Sequence, residues 1–397
     1  MKYNKKSITN ILTILFVNVA ILDPSGIFIN IKAQLFCILV FFLFITYPIS
    51  KKYIKNITTL LIIFFLTIGI GLTMKFDFDF SYTRQSLTTF LSLSLLFWYK
   101  QLRIYNYILI PSLILSILTI FLYIIFVFYP DLNKIYYTFL MELGDTPQIF
   151  IEERTFIGIT FQTIFYTPIM INVVTLPICL SHYLSNRKKR DLILSIILTL
   201  GLFCAGNRAC LLSLVLIYAL IFAQKMWQHK NLRIVLYILF LICGISFIIL
   251  LSHVVLEKEE SNIVKAGHLQ SYSLLFEKNP FIFITGSGAG SLFYSKGFQK
   301  MTALTEITYI EIIRMYGILG ALYIMMFFLY PAYKLIKKKQ YYREYYPQAI
   351  GLIMYIISSS MNPYLFTSTG MIIIMSLYQY INNEKQISNN FINSRTQ

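Results

Sequence analysis

The sequence predicts an all-α, polytopic membrane protein, and three observations carry that prediction. Charged residues are scarce, at 13% of the chain, where soluble domains average about 25%. Hydrophobic residues make up 57% of the 397 positions and aromatic residues 17%, and apolar runs of roughly 15–26 residues recur from end to end, the length scale of bilayer-crossing helices. Basic residues gather on alternate connections between these runs, as the positive-inside rule requires.

In order, the runs place spans at 8–22, 33–49, 57–74, 85–99, 104–129, 162–184, 192–205, 209–224, 234–252, 307–330, 348–361 and 364–381. That is about twelve transmembrane helices in a single integral-membrane domain, 1–397. The first run is followed by Asp23-Pro24-Ser25-Gly26 rather than a small-residue cleavage site, so it reads as a span and not as a removable leader. Runs 192–205, 209–224 and 348–361 are shorter than the usual ~17–25 residues, which predicts tilted or broken helices, or ends placed a few residues away. With both termini cytoplasmic, the inner connections and tails hold 22 Lys and Arg against 3 acids. The net charge of +17 therefore reports topology. A nucleic-acid footprint would concentrate on one soluble face, so no nucleic-acid partner is expected. Cys37, Cys179, Cys204, Cys210 and Cys243 lie in or beside spans without metal-ligand spacing. They read as small core residues, and no metal is expected.

Two outer connections are long, about 130–161 and 253–306, and connections of that length are usually functional or disordered. Ile135–Leu140 and Tyr272–Phe276 carry enough apolar and aromatic residues to predict short helices on the outer interface. The polar tail, about 383–397, reads as disordered. The stretch Lys265–Gly320 is the most polar island in the chain. It is the place to look for chemistry.

Four cations stand where the spans meet the outside. Arg154 closes the first long loop, with pairing to Glu152 or Glu153 as the alternative role. Arg208 sits in the tight turn Ala205-Gly206-Asn207-Arg208, where a snorkelling helix end is the alternative. Lys265 opens the polar island. Arg314 falls about two turns into the tenth span, where an arginine marks a functional site by default. Its alternative role is an ion pair with Glu311, three residues earlier. A guanidinium fork suits phosphate and diphosphate. Glu306 begins the tenth span and shares a face with Ile310, Ile313 and Gly317. The helix dipole there favours its ionised form, as a proton acceptor or simply as a cap. Of four histidines, only His268 lies in the polar loop, as a proton shuttle or an exposed loop residue. The run Thr285-Gly286-Ser287-Gly288-Ala289-Gly290-Ser291 lacks GK[ST] and a βαβ context. It reads as a tight turn or a close backbone approach, not a nucleotide site.

Four blocks together carry a family resemblance: GNRACLLSLVLIYAL, NPFIFITGSGAGSLF, EITYIEIIRMYGILG, and Asn362–Gly370. In this order and spacing, over residues 154–370, they resemble the bacterial O-antigen polymerase and ligase family. The resemblance implies a glycosyltransferase on the periplasmic face of the inner membrane. Its donor would be an oligosaccharide on undecaprenyl diphosphate, with no metal or other cofactor, and a chain-length regulator would be a possible protein partner. Ligases carry a histidine at the position that here is Glu306, while Tyr309 and Glu311 fit the pattern, which favours polymerase over ligase.

On that expectation Arg154, Arg208 and Arg314, with Lys265, stabilise the diphosphate. Glu306, or else His268, takes the proton of the acceptor hydroxyl, and inversion at the donor carbon is the simplest course. The alternatives are an O-antigen ligase acting on lipopolysaccharide core, and a lipid-linked oligosaccharide flippase or transporter. Transporters tend to show related halves and midplane sites, and the halves of this chain do not resemble one another.

Overall fold

Helices fill the apolar runs because a bilayer offers backbone N–H and C=O groups no partner outside the segment itself. The computed structural model describes residues 5–24, 26, 28, 31–129, 131–132, 135, 138, 149–156, 159–226, 260–337, 342–361 and 364–382. The helices are α1 (Lys5–Leu22), α2 (Lys32–Thr46), α3 (Ile54–Thr73), α4 (Phe80–Ser92), α5 (Ile104–Tyr107), α6 (Leu109–Phe128), α7 (Asn172–Asn186), α8 (Lys189–Ala205), α9 (Arg208–Met226), α10 (Glu260–Lys278), α11 (Pro280–Thr285), α12 (Thr308–Lys337), α13 (Tyr342–Ser358) and α14 (Ser368–Asn382). Among the described residues, five helical segments are long and apolar enough to cross a membrane: Lys5–Leu22, Lys51–Thr73, Ile104–Phe128, Thr167–Asn186 and Thr308–Lys337. The expected span 234–252, most of the helix expected at 135–140, and the tail 383–397 lie outside the described residues.

One buried cluster runs through the bundle, from Phe16 on α1 to Tyr378 on α14. Outward faces carry exposed apolar side chains such as Phe41, Phe44 and Ile45 on α2 and Phe121 on α6, as lipid-facing helices do. Small and polar groups set the closest crossings. On α7, Asn172 donates to Ser116 Oγ of α6 at 2.8 Å. A β-carbon on Gly351 of α13 would lie 2.9 Å from the Val174 backbone of α7, a close approach of the kind small residues allow between membrane helices.

The first departure from expectation is a β-hairpin. Residues 149–166 form antiparallel strands β1 (Ile149–Phe156) and β2 (Ile159–Tyr166), paired from Ile149↔Tyr166 to Phe156↔Ile159. The sequence reading starts the sixth span at 162. Dense β-branched and aromatic residues hold these positions extended, and helical structure begins only at Thr167, where Pro168 occupies the first turn.

The second departure is a break in α12. Gly317 has φ +67° and ψ 168°, a conformation essentially confined to glycine. The carbonyls just before the break accept from another segment: Ser287 N donates to Arg314 O at 2.8 Å and Gly288 N to Met315 O at 2.9 Å. A loop with three positive-φ glycines, Gly286, Gly288 and Gly290, thus docks into the break, as irregular backbone in a bundle must if it is to be satisfied. Beyond Gly317, Ile318–Lys337 runs for about 20 residues, or roughly 30 Å. That alone matches the hydrocarbon thickness of about 30 Å. The short piece carrying Glu311 and Arg314 is therefore a separate segment at the head of the candidate span.

A Cβ at position 317 would lie 2.1 Å from the Ile284 carbonyl oxygen. Gly317→Ala should lower stability by at least about 1–3 kcal/mol from backbone strain alone. Thermal unfolding of the purified protein, followed by intrinsic fluorescence, measures this. A midpoint equal to that of the wild type would remove the break from the account.

Candidate functional site

The polar island folds as one unit on the head of α12. After α10 and α11 comes the glycine loop, then strands β3 (Phe293–Ser295) and β4 (Lys300–Thr302), paired antiparallel. The loop is also tied to the segment entering α4. Asp79 N donates to Gly290 O at 2.8 Å, Leu292 N to Asp77 O at 2.7 Å, and Thr83 Oγ1 to Ala289 O at 3.0 Å. Helix α10 lies against the β-hairpin through Ser271, whose Oγ accepts from Lys296 N at 2.7 Å.

Arg314 is at the centre of this unit and is 0% exposed. Its Nε and Nη2 donate to Glu311 Oε1 at 3.1 and 2.5 Å. Nη2 also donates to the Ala303 carbonyl at 2.9 Å. Nη1 donates to the Ser291 carbonyl at 3.0 Å, Ser291 Oγ at 2.6 Å and Ser287 Oγ at 3.2 Å. The guanidinium lies 4.5 Å from the centre of the Phe293 ring, whose other neighbour is the Tyr272 ring at 5.3 Å. Every N–H of the fork has a protein partner, so in this arrangement Arg314 is a positioning residue. It fixes the glycine loop, the hairpin and Glu311 together.

Glu311 is held at both oxygens. Oε1 faces Arg314, and Oε2 accepts from the Tyr272 hydroxyl, which also meets Thr305 Oγ1. Burial, reinforced by the Glu311 charge, pushes the Tyr272 phenol well above its usual range, so it stays protonated as the donor. One side of Glu311 borders a small crevice of about 10 Å³, room for about one water, lined by Tyr82, Thr308, Ile312, Met315 and Phe366 among others.

The sequence-predicted residues distribute around this centre. Glu306 lies before α12, which begins at Thr308, and is half-buried. It does not share a helical face with Ile310, Ile313 and Gly317, because the helix starts after it and breaks at Gly317. His268 is buried, not exposed. Its Nδ1 meets Ser295 Oγ at 2.8 Å and its ring packs edge-on against Phe298 at 4.5 Å. Its Nε2 has no hydrogen-bond partner among the described residues. Burial, and secondarily the charge of Lys265, hold its pKa below the usual histidine value. Lys265 sits one turn before it on α10, half-buried. Arg208 begins α9, also half-buried. The turn before it is set by Gly206 at φ +61° and by Asn207, whose Oδ1 caps Ala209 N at 2.9 Å and whose amide reaches the Tyr364 hydroxyl at 3.4 Å. The backbone of Arg154 pairs with Phe161 in the β1–β2 hairpin.

The structure therefore brings Lys265, His268 and Arg314 into one unit, whereas Arg208 begins a different helix beside Asn207, whose amide reaches Tyr364. Sequence reasoning passes over Tyr272, Ser287, Ser291 and the Ala303 carbonyl. Only the Glu311–Arg314 spacing is a local signal, since Tyr272 meets Glu311 from 39 residues away.

Two outcomes follow. Removing one partner of a buried ion pair costs about 3–5 kcal/mol, and lysine cannot reproduce a fork with partners on three sides. Arg314→Lys and Arg314→Ala should both lower the unfolding midpoint, with Lys restoring little. Full rescue by lysine would refute the fork. For His268, the folded pKa is depressed, so its contribution to stability is complete above the unfolded value of about 6.5. It is lost as pH falls through the lower folded pKa, because the unfolded chain binds the proton first. The wild-type midpoint should drop on acidification from about pH 6.5, and His268→Gln should flatten that slope. An unchanged slope would clear His268 of it. In comparisons with known proteins, no family model matches this chain, and no curated protein and no solved structure does either.

Proposed function

We propose that the chain is a bacterial inner-membrane glycosyltransferase, an oligosaccharide repeat-unit polymerase for O antigen or a capsular polysaccharide. On this reading about twelve spans carry two long periplasmic segments, and the polar unit on α12 faces the periplasm. The substrate is a growing glycan on undecaprenyl diphosphate, passed to the next lipid-linked repeat unit. The observation that carries the reading is the polar unit itself. A carboxylate, Glu311, is fixed by a buried guanidinium beside a water-sized crevice at the head of a long apolar helix, within the residues that resemble the polymerase family.

The chemistry divides among the residues as follows. The acceptor hydroxyl oxygen forms a bond to the donor anomeric carbon while the bond from that carbon to the diphosphate oxygen breaks. The hydroxyl proton passes to a carboxylate, Glu306, or to His268. Undecaprenyl diphosphate leaves as an anion and needs no acid. Arg208 and Lys265, both half-buried, are the cations assigned to the diphosphate, and Arg154 is the third. Arg314 holds the frame of the polar unit that carries Lys265 and His268, as preorganised electrostatics requires.

A transporter is the second reading, and the break in α12 favours it, since interrupted helices often mark transport sites. Here, however, the carbonyls at the break already accept from Ser287 and Gly288, so no ligand is needed to satisfy them.

In a host deleted for its own copy, the wild-type chain should restore polysaccharide ladders, while Arg208→Ala should leave single-repeat product displayed on the outside. Normal ladders from Arg208→Ala would remove its assigned role. Inward-facing, untranslocated repeats in the deletion host would favour the transporter and sink the polymerase.

A further inference from the structure

A second constellation lies at the opposite, basic end of the bundle. Four segments meet there: Lys51–Tyr53 leading into α3, the turn after Leu93–Trp98, the last turns of α12, and the end of α14. Their tyrosines pack together. Tyr53 meets Tyr99 edge-on at 5.4 Å and Tyr378 at 5.2 Å. Tyr378 stacks on Phe327 at 4.8 Å and on Tyr330 at 6.0 Å.

Three lysines sit on this aromatic platform. Lys52 Nζ is 5.6 Å from the centres of both Tyr53 and Tyr99. Lys100 is 5.9 Å from Tyr99, and Lys334 is 5.4 Å from Tyr330. Lys52 also donates to Asn382 Oδ1, while the Asn382 amide donates to the Tyr53 hydroxyl. Lys100 and Lys334 both repel the charge on Lys52. No Asp or Glu occurs in 51–55, 99–103, 330–337 or 378–382, and none of the three lysines has an ion pair among the described residues. Lys52 and Lys100 are exposed and Lys334 is half-buried, so the ammonium groups remain open to a ligand.

Topology alone explains an excess of basic residues on one side. It does not explain why three from distant segments converge on one ring cluster with no counter-charge among the described residues. The place matters as well, because candidate spans Lys51–Thr73 and Thr308–Lys337 begin and end here. That is the depth of lipid headgroups, where tyrosines gather and basic pockets between spans bind anionic lipid. We propose that Lys52, Lys100 and Lys334, on their tyrosine platform, form a binding site for the phosphate headgroup of an anionic phospholipid. The headgroup supplies the missing negative charge. Three rotatable ammonium groups suit a phosphodiester approached as a point charge.

The test uses purified full-length protein with phosphatidylglycerol or phosphatidylcholine. Retained lipid is counted by native mass spectrometry and binding is followed by thermal shift. The wild type should retain phosphatidylglycerol and be stabilised by it, and phosphatidylcholine should do neither. Lys52→Gln/Lys100→Gln/Lys334→Gln should weaken phosphatidylglycerol binding on the order of 100-fold, given the strength of near-surface lysine–lipid attraction. Lys188→Gln/Lys189→Gln/Arg190→Gln removes the same charge from another basic connection and should leave binding unchanged. Should the first variant fail to fold, Lys100→Gln alone, at an exposed position, should still weaken binding measurably. Equal loss in both triple variants, loss in neither, or equal competition by inorganic phosphate would each overturn the proposal. No glycan enters the assay, so its failure is separable from failure of the polymerase reading.

Discussion

A fully buried guanidinium dictates the arrangement of everything around it. Removing Arg314 from water without compensation would cost several kcal/mol, so the fold is constrained to supply a partner for each N–H. Those partners come from three segments: Glu311 on the same helix, the glycine loop through Ser287 and Ser291, and the hairpin through Ala303. The loop in turn needs glycine where its backbone crosses other backbone, and it satisfies the carbonyls exposed by the break at Gly317. Break, loop and arginine are mutually dependent. Loss of any one leaves buried polar groups unpaired in the others.

The helical framework was legible because apolar runs and basic connections act over short stretches of sequence, and a bilayer leaves a long apolar run little choice. The α10 helix and the turn at Gly206–Asn207 were readable for the same reason. The alternative role of Arg314, an ion pair with Glu311, was visible in their spacing of three. Other features had no local signature. Gly317 in MYGILG looks like an ordinary helical glycine until another segment's carbonyl, that of Ile284, approaches it. Tyr272 reaches Glu311 through tertiary folding alone. His268 lies in a polar stretch yet is buried, because the β3–β4 hairpin folds over it. Residues 149–166 mix apolar and polar positions in a way that fits either the start of a span or a strand pair.

The two ends of the bundle use charge in opposite ways. At the head of α12 a cation and an anion are matched, desolvated and immobile, which gives geometry more than attraction. At the other end the cations are unmatched, partly hydrated and supported on ring faces, which gives attraction with little imposed geometry. The first suits a place where atoms must be aligned. The second suits a surface that holds a mobile, chemically forgiving partner.

The break at Gly317 has a mechanical consequence. The helix below it is about as long as a bilayer's hydrocarbon is thick, so a thinner bilayer would be met by tilt and a thicker one by local thinning or snorkelling ends. The polar unit is hydrogen-bonded to the segment above the break and is also laced to the entry of α4, so it does not tilt freely with the helix. Because Gly317 departs from helical geometry, the orientation of the polar unit is set by its own hydrogen bonds rather than by the axis of the helix below.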